Sequence, residues 1–274
     1  MSFVKGKEIM SLTFHRTFSL SRSSIAKIIH LAQEKPGFTR ADIENHTDLG
    51  TIYQEAMPRY SSRTGLLDDK NYLTPFGRFV AERDPNLEKT STQWLLHYHL
   101  TAPHGPTAFW HYLVTHWFVP GNTFTADQLA DDLAEFLQRE KRKVPSLRSI
   151  RSTITIFTGT YLKRDGLSRL GMLVEVEKNT YHVPRVSQPP IWALGYALAD
   201  YWQAHYGERL TVNLDDLSGN RFAGLFLLGE SGFNELLLQL KQEGMIDLYR
   251  TAHPYQVVLL QPSLKYALEK LYAI

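Results

Sequence analysis

A chain of 274 residues with 43% hydrophobic, 12% aromatic and 21% charged residues and no cysteine is globular in composition. That excludes extended disorder, and the missing cysteines exclude disulfides, thiolate metal sites and a cysteine nucleophile. The net charge of +2 names no partner, but residues 139–185 hold eleven Lys/Arg against four Asp/Glu, a local +7 against −5 for the rest of the chain.

Along the chain, Ile25, Ile28, Ile29 and Ala32 recur at helical spacing and predict a helix over Ser23–Glu34, stopped by Lys35-Pro36-Gly37. Thr39 is a good N-cap for a short helix over Arg40–His46. A third helix is expected over Thr51–Thr64, with Pro58 bending or splitting it. Leu66-Leu67 and Tyr72-Leu73-Thr74-Pro75 around a polar turn read as a hairpin. Helix, short helix, turn, helix, hairpin is the order of a winged helix-turn-helix. Gln93–Phe118 is apolar on most sides and reads as buried central helices.

The pattern then recurs. Phe124-Thr125 opens a helix reaching about Lys141, with Leu129, Leu133, Phe136 and Leu137 on one face. Pro145 and Ser146 open another, carrying Ile150, Ile154, Phe157 and Tyr161. Gly171–Val176 and Thr180–Val183 form a hairpin over Glu177-Lys178-Asn179. A third unit follows Pro189-Pro190: an aromatic helix over Ile191–Tyr206, a short helix opening at Leu210-Thr211, an amphipathic helix over Gly232–Gln242, and a hairpin of Asp247–Tyr249 against Gln256–Leu260. The expected fold is mainly α: tandem winged-helix-type units with short β-hairpin wings around a central helical core. Residues 12–85 form the first unit, 86–122 the core, 123–186 the basic middle unit and 187–274 the C-terminal unit.

Phe14-His15-Arg16-Thr17-Phe18, Leu49-Gly50, Thr64-Gly65-Leu66, Leu73-Thr74-Pro75-Phe76-Gly77 and above all Trp94-Leu95-Leu96-His97-Tyr98-His99-Leu100 resemble the bacterial domain-of-unknown-function family 4007. Phe157–Tyr161, Leu167–Leu173 and Tyr181–Arg185 fit its middle. The family occurs beside reductase-like genes of DNA phosphorothioation and phage-defence islands. The resemblance therefore implies work on or around DNA, antiviral defence, and other subunits of a modification complex as partners. It carries over no catalytic residue. Where the family's middle segment has an acid this chain reads Ser152-Thr153, so a role for that acid does not transfer.

A winged unit lays its third helix in the major groove. In the middle unit that helix presents Arg148 and Arg151, with Lys141, Arg142 and Lys143 before it and Lys163, Arg164 and Arg169 after it, cations suited to phosphate. In the first unit Arg59 and Arg63 are the candidates, but Asp48, Glu55, Asp68 and Asp69 surround them. The third unit is acidic, with Asp215, Asp216, Glu230, Glu235 and Glu243, and suits a protein partner or a homodimer. Duplex DNA is the expected ligand.

Five histidines at 97, 99, 104, 111 and 116 raise a zinc site, yet no HExxH occurs and their spacing scatters them over different helix faces. Asp131 and Glu135 share a helical face that could hold magnesium, a pattern far more often simply solvated. No GxxxxGK[ST], GxGxxG or GxSxG is present. No cofactor, no catalytic residue and no metal are expected. A protein-interaction scaffold and a metal-dependent nuclease stand as alternatives. No apolar run nears the roughly 18–20 residues that span a bilayer, and Met1–Ile9 lack the apolar stretch of a secretory leader. A cytoplasmic protein without membrane contact is expected.

Overall fold

The computed structural model describes residues 12, 14–185, 188–218, 222–251 and 253–273; Met1–Ile9, on which the leader expectation rests, lie outside them. The chain is mainly helical. In order it forms α1 (Arg22–Glu34), α2 (Arg40–His46), α3 (Thr51–Arg63), α4 (Pro75–Arg83), α5 (Thr90–Thr101), α6 (Ala108–Trp117), β1 (Thr123–Thr125), α7 (Ala126–Arg139), α8 (Leu147–Leu162), β2 (Val174–Glu177) and β3 (Thr180–His182). Then come α9 (Ile191–Tyr206), β4 (Thr211–Asn213), α10 (Glu230–Gln242), β5 (Ile246–Tyr249), β6 (Gln256–Leu259) and α11 (Leu264–Tyr272). The strands form two antiparallel three-stranded sheets of order β1-β3-β2 and β4-β6-β5. In each the first strand pairs with the last, as Phe124 opposite Tyr181 and Val212 opposite Val257.

Local signals set most helix starts. Thr39 caps α2 in a reciprocal arrangement with Asp42, and Thr125 caps α7 in the same way with Gln128. Helix α3 runs through Pro58 without a break, at the cost of one backbone donor. Two expectations need correction. Leu66–Pro75 is no full hairpin: a single bridge joins Leu67 to Leu73. Pro75 instead starts α4, with Thr74 accepting from the Gly77 amide. A proline fits the first helical turn, where its missing N–H has no partner to lose. Phe124-Thr125 lies in strand β1, and Thr125 also caps α7, so the expected helix forms directly after the strand. Leu210-Thr211 instead leads into strand β4 and a 3-10 turn, because pairing with a distant strand overrides the local helix signal. Helix α11 was not foreseen; it packs on α9 and closes the C-terminal side.

The buried side chains form one continuous cluster from Leu12 to Tyr272. Helix α5 lies inside it, with nine of its twelve residues buried. Polar groups there are matched. His97 Nε2 donates to the Leu225 carbonyl at 2.7 Å, which places the ring proton on Nε2 because a carbonyl can only accept. Its Nδ1 therefore accepts from the Tyr161 hydroxyl at 3.0 Å, and that oxygen accepts from Trp110 Nε1 at 2.9 Å.

A second anchor ties α1 to the loop after α8. The buried Arg22 guanidinium donates to the carbonyls of Gly166, Leu87 and Arg164 at 2.7, 2.9 and 2.8 Å. Ser21 and Ser23 hydroxyls both reach Asp165 at 2.7 Å. Arg22→Ala strands the Gly166 and Arg164 carbonyls in a low-dielectric interior, each costing about 1–3 kcal/mol, while Leu87 keeps only its longer bond from Gln93 Nε2 at 3.2 Å. A loss of roughly 3–5 kcal/mol in urea unfolding is expected. A loss under about 1 kcal/mol would show that water replaces the guanidinium.

Candidate nucleic-acid interface

The basic block sits where α7 turns into α8. Helix α7 buries Leu129, Ala130, Leu133 and Leu137 and ends at a left-handed Lys141, φ 51°. The Arg142 amide reaches back to the Leu137 carbonyl and the Lys141 amide to that of Gln138. This reversal closes the helix and turns Lys141, Arg142 and Lys143 outward, all three exposed. Pro145 follows, and Ser146 caps α8 by accepting from the Ser149 amide at 3.3 Å.

Helix α8 changes character along its length. Its C-terminal half, from Ile156 to Tyr161, is buried throughout. Its N-terminal half exposes Arg148, Arg151, Ser152 and Thr155, while Ile150, Thr153 and Ile154 face the core. The exposed four follow i, i+3, i+4, i+7 spacing, one stripe along one face. Half of the helix is therefore an anchor and half a projecting cationic and hydroxyl-bearing ridge.

The structure does not bring all the predicted cations together. Lys163, Arg164 and Arg169 are exposed but follow the other end of α8; the helical rise of 1.5 Å per residue sets Lys163 about 22 Å from Arg148. Arg169 donates to the Glu88 carbonyl at 2.9 Å. Within the ridge, Arg151 meets Asp127 of α7 at 3.0 Å. The sequence reading missed this pair, because residues 24 apart meet only when the α7–α8 turn closes. Lys141, Arg142, Lys143 and Arg148 make no ion pair among the described residues.

Arg59 and Arg63 of α3 stand in a different setting. The segment before α1 packs along this helix: Phe18 packs against Tyr53 in a tilted pair with 4.3 Å between ring centres, and Tyr60 donates to the Phe18 carbonyl. The Arg63 guanidinium lies 4.8 Å over the Phe14 ring, and Glu55 is bridged by Arg16 and Arg40. Arg59 and Arg63 are only half exposed, and α3 offers no open face like that of α8. Phe14 is buried against Tyr60, Phe109 and Trp110, so the Phe14–Phe18 segment is a core anchor.

The hairpin beside α8 is not cationic. All four residues of β2 are exposed, Val174, Glu175, Val176 and Glu177, and Glu175 holds the turn by accepting from the Asn179 amide. In the third unit Glu243 pairs with Lys270 and Asp247 with Lys241.

The histidine run is dispersed. His97 is buried and His99 half-buried, and the cost of charging them there lowers both to about 4. His111 donates to the Thr101 carbonyl, and His116 packs against Tyr112 in a tilted ring pair. Among the described residues no group of three or more His, Cys, Asp or Glu could hold a metal ion, and none of their helices is long and apolar enough to cross a membrane. Asp131 and Glu135 are exposed on α7, while Asp132 between them accepts from Tyr112 and Trp117.

The model of a family described as "Protein of unknown function (DUF4007)" matches residues 13–272, nearly the whole chain. No curated protein matches the sequence. Two solved structures are similar to it. Magnesium ion-bound SspB superimposes with a TM-score of 0.81 at 18% identity, over 98% of this chain and 91% of that one. A second SspB crystal structure gives 0.78 at 21% identity, over 96% and 88%. At these identities the likeness is one of fold.

Proposed function

This chain belongs to the DUF4007 family of proteins of unknown function, and from that premise we propose that it is a non-catalytic, duplex-DNA-binding accessory or regulatory subunit of a cytoplasmic bacterial DNA-modification or phage-defence system. The observation that carries the reading is the projecting half of α8. Arg148, Arg151, Ser152 and Thr155 stand on one exposed face, and Lys141–Lys143 flank its N-terminal end. In a helix-turn-helix the N-terminal residues of the second helix meet the bases, while cations around them hold phosphate.

The element order supports winged-helix-type units. Helix α6, β1, α7, α8, β2 and β3 run in sequence, with β1 closing the sheet against β3; α9, β4, α10, β5 and β6 repeat that order with a pair of 3-10 turns in place of the second helix. The first unit, α1–α3, has only the Leu67–Leu73 bridge as its wing. The wing of the middle unit carries two exposed carboxylates, which phosphate repels. The backbone contacts therefore fall to Lys141–Lys143 and Arg148.

Anisotropy of a labelled random duplex, read at about 50 and 200 mM salt, tests the proposal. A binder of several phosphates loses orders of magnitude in affinity over that range. Binding that is absent at low salt, or insensitive to salt, would reject it. The scaffold reading has its own observation: Val174 and Val176 stand 45% and 52% exposed on the free edge of β2, a place for another strand to pair. The nuclease reading has in its favour the magnesium ion that one structural neighbour carries.

A further inference from the structure

We propose that His104 and His205 form a two-histidine site for a divalent transition metal of the zinc class, bridging the α5–α6 connection to the end of α9. The two ring planes are inclined at 68°, with centroids 5.4 Å apart. A metal about 2.0–2.1 Å from one nitrogen of each imidazole, near a tetrahedral angle, sets the ring centres roughly 5 Å apart. Both residues reach the surface, with 30% of the His104 side chain accessible, so an ion reaches them without opening the fold.

The hydrogen bonds decide which nitrogens are free. His104 Nε2 lies 2.9 Å from Asp200 Oδ2, and His205 Nδ1 lies 2.9 Å from the Tyr201 carbonyl. A carboxylate and a carbonyl only accept, so in the neutral rings the protons sit on those two nitrogens. The lone pairs are then on His104 Nδ1 and His205 Nε2, neither of which makes another hydrogen bond among the described residues. Metal-binding histidines almost always donate their other N–H to a carboxylate or backbone carbonyl, which orients the ring and raises its basicity. Asp200 is itself fixed by the Tyr98 hydroxyl at 2.8 Å.

The site has two protein ligands, with water completing the shell, which agrees with the absence of any three-residue metal group among the described residues. Imidazole pairs select zinc, copper or nickel over the hard oxygen-seeking magnesium and calcium. The site lies apart from α8 and does not depend on the DNA-binding reading. Its consequence is a staple between the central helices and the third unit.

Isothermal titration of the full chain with Zn2+, and in parallel with Mg2+, tests it. One saturable Zn2+ site per chain is expected, absent for Mg2+ and accompanied by a rise in melting temperature. His104→Ala and His205→Gln should each weaken Zn2+ binding by at least about tenfold, and Asp200→Asn by about 10–100-fold, the usual cost of losing an orienting partner. His205 bonds only to a carbonyl of its own helix, so H205Q keeps the fold and reports on the site even where the other variants unfold. No saturable Zn2+ binding overturns the proposal, as does binding that H205Q leaves unchanged.

Discussion

The simultaneous substitution of Arg142, Lys143, Arg148 and Arg151 by alanine is expected to remove most duplex-DNA affinity and leave the fold intact. Each lost phosphate contact flattens the dependence of log affinity on log salt by about 0.9. Four would lower the slope by about 3–4. Three is the better expectation, because Arg151 is already engaged by Asp127. All four side chains are exposed, and exposed charges contribute little to stability, typically under about 1 kcal/mol each. The melting temperature should therefore hold within a few degrees. Anisotropy against salt and a thermal melt on the same preparation separate the two effects. Unchanged affinity would dismiss the ridge; lost affinity with a collapsed melting temperature would mean that the variant is unfolded and that binding must be probed by single substitutions. Substituting Lys163 and Arg164, at the far end of α8, should cost less.

The second large effect is acid instability. His15, His97 and His99 are each lowered to about 4 by burial, against an ordinary value near 6.5. Their folded-state values are depressed, so between about pH 6.5 and 4 the unfolded chain binds protons that the folded chain refuses. Stability is complete above pH 6.5 and falls as the pH drops through that window. A shift of roughly 2.5 units corresponds to about 3 kcal/mol per histidine. Three together approach the whole stability of a typical domain, about 5–15 kcal/mol. Urea unfolding at pH 7.5, 6.0 and 5.0 should show the free energy dropping steeply, with uptake of two to three protons on unfolding. A free energy constant down to pH 5 would mean that these rings reach water in the folded chain. Depressed carboxylates such as Asp200, which burial raises but His104 and Tyr98 more than offset, add their own losses only at lower pH.

Much of the architecture is legible in the residues because the signals are local. The helices over Arg40–His46 and Ile191–Tyr206 match the expected limits to the residue, since Thr39 at one start and the Pro189-Pro190 break at the other are punctuation that no packing overrides. The basic character of the α7–α8 turn is likewise visible in a thirteen-residue window of the sequence. Apart from the local Leu66–Pro75 segment, where Thr74 and Pro75 start a helix instead of a strand, the reading failed where distance along the chain hides the partner. Strand β1 is three residues long and exists because Thr180–His182 lies beside it; β4 depends in the same way on Gln256–Val258. Histidines clustered in the sequence separate in space, and His205, a hundred residues further on, joins His104 instead.

The sequence alone determined the helical character, the placement of most helices, the location of the surplus positive charge and the membership suggested by the Trp94–Leu100 block, because periodicity, capping and charge are properties of neighbouring residues. Only the tertiary structure decided which cations share a surface. A sixteen-residue helix carries Arg148 and Lys163 to opposite ends, the packing of Phe14–Phe18 covers α3, and closure of the α7–α8 turn sets Asp127 against Arg151. Electrostatic recognition depends on distance and exposure, and both are products of the fold.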